Sequence, residues 1–157
     1  MIVMAARAMI AVLRAILKTS KPAIAMAAHN PLSAKLAGEA GFVAVWISGF
    51  EPSASYAVPD ASILPMSSNL EITRAMSEVH GLPLVADLDT GFGNTVNAAY
   101  AVPRFEAASA AAADIEGETF PEDSSPRPDG RAVLLSIEEF QGGIKGAKAA
   151  SSRLVFA

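Results

Sequence analysis

Apolar residues recur along the chain in two alternating rhythms. Short apolar runs at Ala23–Ala28, Phe42–Ile47, Leu84–Ala86 and Ala110–Glu116 read as buried strands. Between them, apolar residues return at three- and four-residue intervals, as on a helix that buries one side. Asn30 caps and Pro31 opens a helix whose apolar face is Leu32, Leu36 and Ala40, with Gly41 at its end. Ser68 or Asn69 caps the next, striped by Leu70, Ile72, Met76 and Val79. Asn94 or Thr95 begins a third, to about Ala108, which Pro103 should kink. Ser136-x-x-Glu139 is a capping box ahead of Ile137, Phe140 and Ile144. Ser48–Asp60 and Gly117–Arg131 read as loops, and Arg153–Ala157 as the start of a fifth strand.

The first 22 residues stand apart as an N-terminal amphipathic helix. Arg7, Arg14 and Lys18 share one face, and Ile10, Leu13, Ile16 and Leu17 lie largely on the other. These charges argue against a membrane span or a secretion signal; an acid-free basic segment of this kind also resembles an organelle transit peptide. Strands alternating with helices over 23–157 predict an α/β fold with a parallel sheet.

Composition narrows the class. With 52% hydrophobic and 18% charged residues, the 157-residue chain is globular rather than disordered. A net charge of −4 without a basic patch excludes nucleic acid as the expected partner. The absence of cysteine removes disulfides, thiolate metal ligands and a cysteine nucleophile, and fits a cytoplasmic protein.

The chemistry concentrates at predicted strand ends: His29, Ser48-Gly49, Asp60, Asp87, Asp89 and Glu116. Barrels and open α/β sheets both build sites there. Asp87 and Asp89 follow the apolar run Leu84-Val85-Ala86 with i, i+2 spacing, so they project to one side with Cα atoms ~6.5–7 Å apart. At ~4 Å, two such charges repel by about 4 kcal/mol at an effective dielectric of 20. A hard cation such as Mg2+ removes that cost; a solvated Asx turn is the alternative reading of the same residues.

The assembled motifs give the chain a wider resemblance. They are Ala27-Ala28-His29-Asn30-Pro31-Leu32, Trp46-x-Ser48-Gly49-Phe50, the run Ser53 to Asp60, Ala86 to Asn94, and Thr119-Phe120-Pro121 with Asp129-Gly130-Arg131. In order and spacing the chain resembles the isocitrate lyase/phosphoenolpyruvate mutase superfamily of (β/α)8 TIM barrels, from about Ile24 onward. Such a barrel takes about 250 residues. The resemblance therefore implies the N-terminal half of one: about four βα units plus the start of strand five. It implies Asp87 on Mg2+ (or Mn2+ or Co2+), with Asp89 and Glu116 holding the ion's waters. Trp46, Ser48 and Gly49 would seat the carboxylate of a 2-oxo phosphonate, and Asp60 would stand near phosphorus. Ser124 falls where members that hydrolyse the C–P bond of phosphonopyruvate carry threonine and mutases carry asparagine. Hydrolysis of phosphonopyruvate is thus the expected reaction. A mutase-type isomerase or an inert half-barrel that binds only metal or partner chains are the alternatives. Full-length members of the family are expected to be homo-oligomers.

The chain departs from the family at named positions. Glu118 and Glu122 stand where the resemblance implies lysines, and Gly117 where it implies aspartate. Asp114 replaces an apolar residue, two before Glu116 and so on the same face of its strand.

Overall fold

One sheet of five parallel strands runs in chain order, β1-β2-β3-β4-β5. The computed structural model describes residues 2–79, 81–122, 133–151 and 153–156, with side chains from Arg7 onward. The strands are β1 (Ala25–Ala27), β2 (Ala44–Ile47), β3 (Leu84–Asp87), β4 (Ala112–Asp114) and β5 (Val155–Phe156). Parallel neighbours need a crossover, and helices supply each one. α2 (Pro31–Glu39) joins β1 to β2, and α3 (Phe50–Ser55) with α4 (Met66–Ser77) joins β2 to β3. α5 (Thr95–Ala107) and α6 (Ile137–Ala150) make the last two crossovers, and α1 (Ile2–Leu17) precedes the sheet.

The register fixes which side chains share a face. Ala27 pairs with Trp46, Trp46 with Val85, Val85 with Ala112, and Asp87 with Asp114. Residues paired in a parallel ladder point the same way, so the acids at the ends of β3 and β4 lie side by side.

Two apolar clusters hold the layers together. One packs Ala34, Ala37, Val45, Ile47, Met76 and Leu84 between the sheet and α2 and α4. The larger joins Leu88, Val102, Phe105 and the alanines of β4, with Ile10 and Leu13 of α1. Alanine is a poor strand former, yet Ala110–Ala113 are each 2% exposed or less. Their small side chains let α5 seat Phe105 on the strand, stacked 5.9 Å from Phe92. α6 lies close on α5: a Cβ at Gly146 would come within 2.7 Å of Thr95 Cγ2.

Several expectations change. The predicted apolar face of α2 is the wrong one, since Leu32 and Leu36 are 65% and 53% exposed while Ala34 and Ala37 are buried. Small residues permit the close approach that the sheet demands there. β1 is exposed at Ala25 and Met26 rather than buried, because β2 is its one described neighbour. α4 starts at Met66 after Pro65, so Asn69 is a buried interior residue and not its cap. Val79 falls beyond the end of α4 and is exposed. The loop after β2 contains the short helix α3. α5 runs on through Pro103. Ile137, expected in the stripe of α6, is 71% exposed at its first position. The expected cap at Asn30 and capping box at Ser136 form; Asn30 makes a full box with Ser33, and a further one forms at Asn94 with Asn97.

Replacing Phe105 by alanine should cost about 3–5 kcal/mol of stability, the usual cost of emptying a fully buried aromatic site. Leu36→Ala, on the exposed face of α2, should stay within about 0.5 kcal/mol. Urea titrations of both variants check the pair, and a larger loss for Leu36→Ala would reverse the assignment of the buried face.

Candidate active site

The site grows from the turn after β3. Asp87 ends the strand, and its Oδ1 accepts the backbone N–H of Asp89 at 3.0 Å. This is the Asx turn that the sequence offered as the alternative reading, and it leaves the Asp89 carboxylate unused. Asp89 takes a left-handed backbone, φ +49. Both of its backbone groups are held, because its carbonyl accepts Glu116 N–H at 2.8 Å. Leu88 N–H donates to the Asp114 carbonyl at 3.0 Å, and Gly91 N–H returns to the Leu88 carbonyl at 2.7 Å. Gly91 has φ +79, and a Cβ there would lie 2.8 Å from Ala98 Cβ, so the turn to α5 requires glycine. These bonds tie the ends of β3 and β4 into one platform.

The loop after β2 supplies the facing wall. Ser48 Oγ accepts the N–H of Phe50 at 3.1 Å. Gly49 is buried, and a Cβ on it would overlap the Asp89 carboxylate, with Asp60 Oδ1 only 3.4 Å away. Glycine at position 49 is thus what lets Asp89 approach. The Gly49 N–H also favours the charged form of Asp87. Asp60 is fixed by Ser53, whose buried hydroxyl donates to its Oδ1 at 3.1 Å. Trp46 is half-buried and packs against the larger core cluster, two residues below Ser48 on the same face.

The three expected metal residues fall in acid groups that adjoin one another. Asp87 and Glu116 lie together with Asp114, each offering an oxygen within 4.8 Å of the others. Asp89 lies with Asp60 and Glu122 under the same limit, and its strongest repulsion is from Asp87. Glu116, Glu118 and Glu122 form a third such group that links the two. The i, i+2 spacing of Asp114 and Glu116 already pointed to a shared face. The sequence showed Glu122 as a charge reversal in a loop but not its place, which depends on its N–H donating to Ser62 Oγ at 3.1 Å across 60 residues. Ser53 as the partner of Asp60 was likewise missed. Ser124 and the Asp129–Arg131 motif lie outside the described residues.

Glu116 also borders a cleft of about 730 Å³ between the starts of α5 and α6, lined by Thr90, Asn94, Thr119, Phe120 and Glu139. The segments 117–119 and 133–135 lie at its edge, bridged antiparallel at Glu118 and Leu134. There Thr119 N–H donates to the Val133 carbonyl, and Leu135 N–H to the Gly117 carbonyl, both at 2.8 Å.

No described lysine or arginine pairs with these acids. Burial, then mutual repulsion, pushes Asp89 up to about 8 and Glu122 up to about 7. Asp60, Asp87, Asp114 and Glu116 are raised too, each mainly by burial. All-oxygen groups of this density, lacking a described cation, fit a hard divalent ion such as Mg2+.

The raised values make stability depend on pH. In the unfolded chain these acids titrate near ~4. Between that value and about 8 the folded state of the metal-free protein holds protons that the unfolded chain has released. Stability therefore falls as pH rises through this window. The melting temperature of metal-free protein should drop from pH 5 to pH 8, and millimolar Mg2+ should offset most of the drop. A metal-free melting temperature that rises over this range would contradict the crowding.

The chain is similar to known proteins over most of its length. The family model for phosphoenolpyruvate phosphomutase matches residues 13–156. Phosphonopyruvate hydrolase of Variovorax sp. (strain Pal2) is 59% identical over 138 residues, which are 88% of this chain and 48% of that protein. Phosphoenolpyruvate phosphomutase of Tetrahymena pyriformis is 39% identical over 78% of this chain and 41% of its own length. A crystal structure of phosphonopyruvate hydrolase in complex with oxalate and Mg2+ superposes with a TM-score of 0.84. It is 52% identical and covers 94% of this chain and 50% of its own. A phosphoenolpyruvate phosphomutase structure from Streptomyces platensis subsp. rosaceus gives 0.86 at 46% identity, over 90% of this chain and 49% of its own. The chain spans about half the length of the curated relatives it matches. With its parallel sheet and strand-end acids in the matched region, the chain belongs to the phosphoenolpyruvate phosphomutase family.

Proposed function

We propose that this chain serves in Mg2+-assisted hydrolysis of the C–P bond of phosphonopyruvate, giving pyruvate and phosphate. The observation that carries the reading is the 59% identity to phosphonopyruvate hydrolase across the elements that hold every described acid of the site. The substrate is a small anionic 2-oxo acid, and the reading implies a cytoplasmic setting. Among the described residues no helix is long and apolar enough to cross a membrane.

The reaction fixes what the residues must do. The C–P bond breaks, and its electron pair stays on carbon as the enolate of pyruvate. Phosphorus gains an oxygen that comes from water, and the enolate takes a proton to become the methyl group. A bound divalent ion would supply Lewis-acid stabilisation of that enolate and offset phosphonyl charge. Asp87 would hold it, with Asp89 and Glu116 on its waters and Asp114 alongside. Ser48 and Gly49 are the residues assigned to the substrate carboxylate, which would be oriented against Trp46, with the Gly49 N–H shared with Asp87. Asp60, held by Ser53, is the group assigned to phosphorus, either taking the phosphoryl group or positioning the water. Ser124 is assigned the hydroxyl contact to the phosphonyl oxygens.

The test is release of pyruvate and phosphate from phosphonopyruvate with Mg2+ or Mn2+. Equal amounts of both products are expected, with Asp60→Ala and Asp87→Ala each lowering turnover by about 10²–10³. Phosphoenolpyruvate as product would replace hydrolysis by the mutase reaction. Metal affinity unchanged in Asp87→Ala would remove that residue from the metal site. Tight metal binding without turnover would leave the inert reading.

A further inference from the structure

We infer that the cleft between α1 and the start of β5 binds an anion carrying linked phosphates, on Arg7, Arg14, Lys18 and Arg153. This site is separate from the proposed hydrolysis. It lies at the other end of the sheet, since Arg153 precedes β5 whereas the acids follow β3 and β4.

Helical spacing puts Arg7, Arg14 and Lys18 on one face of α1. A cleft of about 580 Å³ runs along that face, and Arg153 lines it from the segment before β5. Ala11 and Ala15, between the cations, are too small to fill it. No acid is among its described lining residues. The chain's net charge of −4 averages over this local concentration of positive charge.

Two of the cations are held in place. Arg14 Nη2 donates to the Arg153 carbonyl at 2.7 Å, across 139 residues. That bond leaves the other guanidinium donors of Arg14 for a ligand. Arg153 Nε lies 3.4 Å from Glu106 Oε1, and its backbone N–H donates to Ser151 Oγ at 3.3 Å. Glu106 is fixed in turn, because the Ser151 hydroxyl donates to its Oε2 at 2.6 Å. Among the described residues, Arg7 and Lys18 have no ion pair or side-chain hydrogen bond.

Helix stability accounts for only part of this set. Cations favour a helix C-terminus, which suits Arg14 and Lys18. Arg7 lies two turns earlier and gains nothing there. Like charges four residues apart, as at Arg14 and Lys18, weaken a helix, and no acid occurs before Glu39 to relieve them. A bound anion relieves them.

The shape of the face selects the ligand. Arg7 and Lys18 stand ~16 Å apart along the helix axis. A row of that length outspans a single phosphate and suits a di- or triphosphate. Guanidinium groups pair with phosphate oxygens two at a time, which favours phosphate over a weaker anion. The apolar side of α1 is committed to the core through Ile10 and Leu13, so it is not free to enter a lipid surface.

Calorimetric titration of metal-free protein at low salt tests the site, because without metal the strand-end acids repel phosphate. Tripolyphosphate should bind most tightly and inorganic phosphate least. Arg7→Gln changes an exposed side chain without a described partner, so the fold is spared. It should weaken tripolyphosphate by about tenfold, the worth of one charge-assisted contact. Lys145→Gln, the same charge loss on an exposed position of α6, should leave affinity unchanged. Equal weakening in both variants would show a diffuse charge effect and overturn the site, as would no binding of tripolyphosphate. Phosphate binding as tightly as tripolyphosphate would overturn the linked-phosphate ligand. Vesicles containing phosphatidylserine separate a lipid headgroup from a soluble ligand. They should not bind, and binding would assign the face to a membrane surface instead.

Discussion

The structure turns on one constraint: parallel register sets Asp87 beside Asp114. Neighbouring strands lie ~4.8 Å apart, so two carboxylates on paired positions cannot avoid each other. The strands cannot slip to relieve this, because a one-residue shift would send Val85 and Ala112 to the wrong face. The turn after β3 then adds Asp89, and the turn after β4 adds Glu116, each locked by backbone bonds between the strand ends. Charge density is therefore built into the ladder, and the chain's apolar packing bears the cost. Proton uptake or a bound cation are the two ways such a site becomes neutral.

Much of the fold was legible because its signals are local. Capping boxes at Asn30 and Ser136, glycines after helices, and β-branched residues in β2 mark elements through contacts within a few residues. The errors arose where tertiary contact overrode pattern. Leu32 and Leu36 carry the periodicity of a buried stripe, but the sheet admits only Ala34 and Ala37 at that distance. Alanine-rich β4 looked weak by propensity and is among the most buried segments, because Phe105 needs a flat surface beneath it. Buried Asn69 and Thr73 show that a polar residue in α4 is no guide to a cap.

The site was legible in its members more than in its grouping. Spacing brought Asp87, Asp89 and Glu116 to the strand ends, where the structure has them. It could not foresee that the turn carrying the left-handed Asp89 also brings its carboxylate beside Asp60 and Glu122. Glu122 was visible as a sign reversal in a loop, without a place. Its position is long-range, set by Ser62, and no local rule encodes a contact across 60 residues. Ser53 escaped notice for the same reason on a smaller scale, because its role depends on α3, which the sequence pattern had left as loop.

The backbone at Asp89 has an evolutionary consequence. A residue with a Cβ at φ +49 gives up stability that glycine would recover, and its buried charge gives up more. Under the proposed metal role, position 89 is a place where heat tolerance and metal capture select in opposite directions. A population selected only for survival at high temperature should drift to glycine there, easing the turn and discharging the pocket together. Retention of aspartate under that regime would mark selection for the ion rather than for the fold.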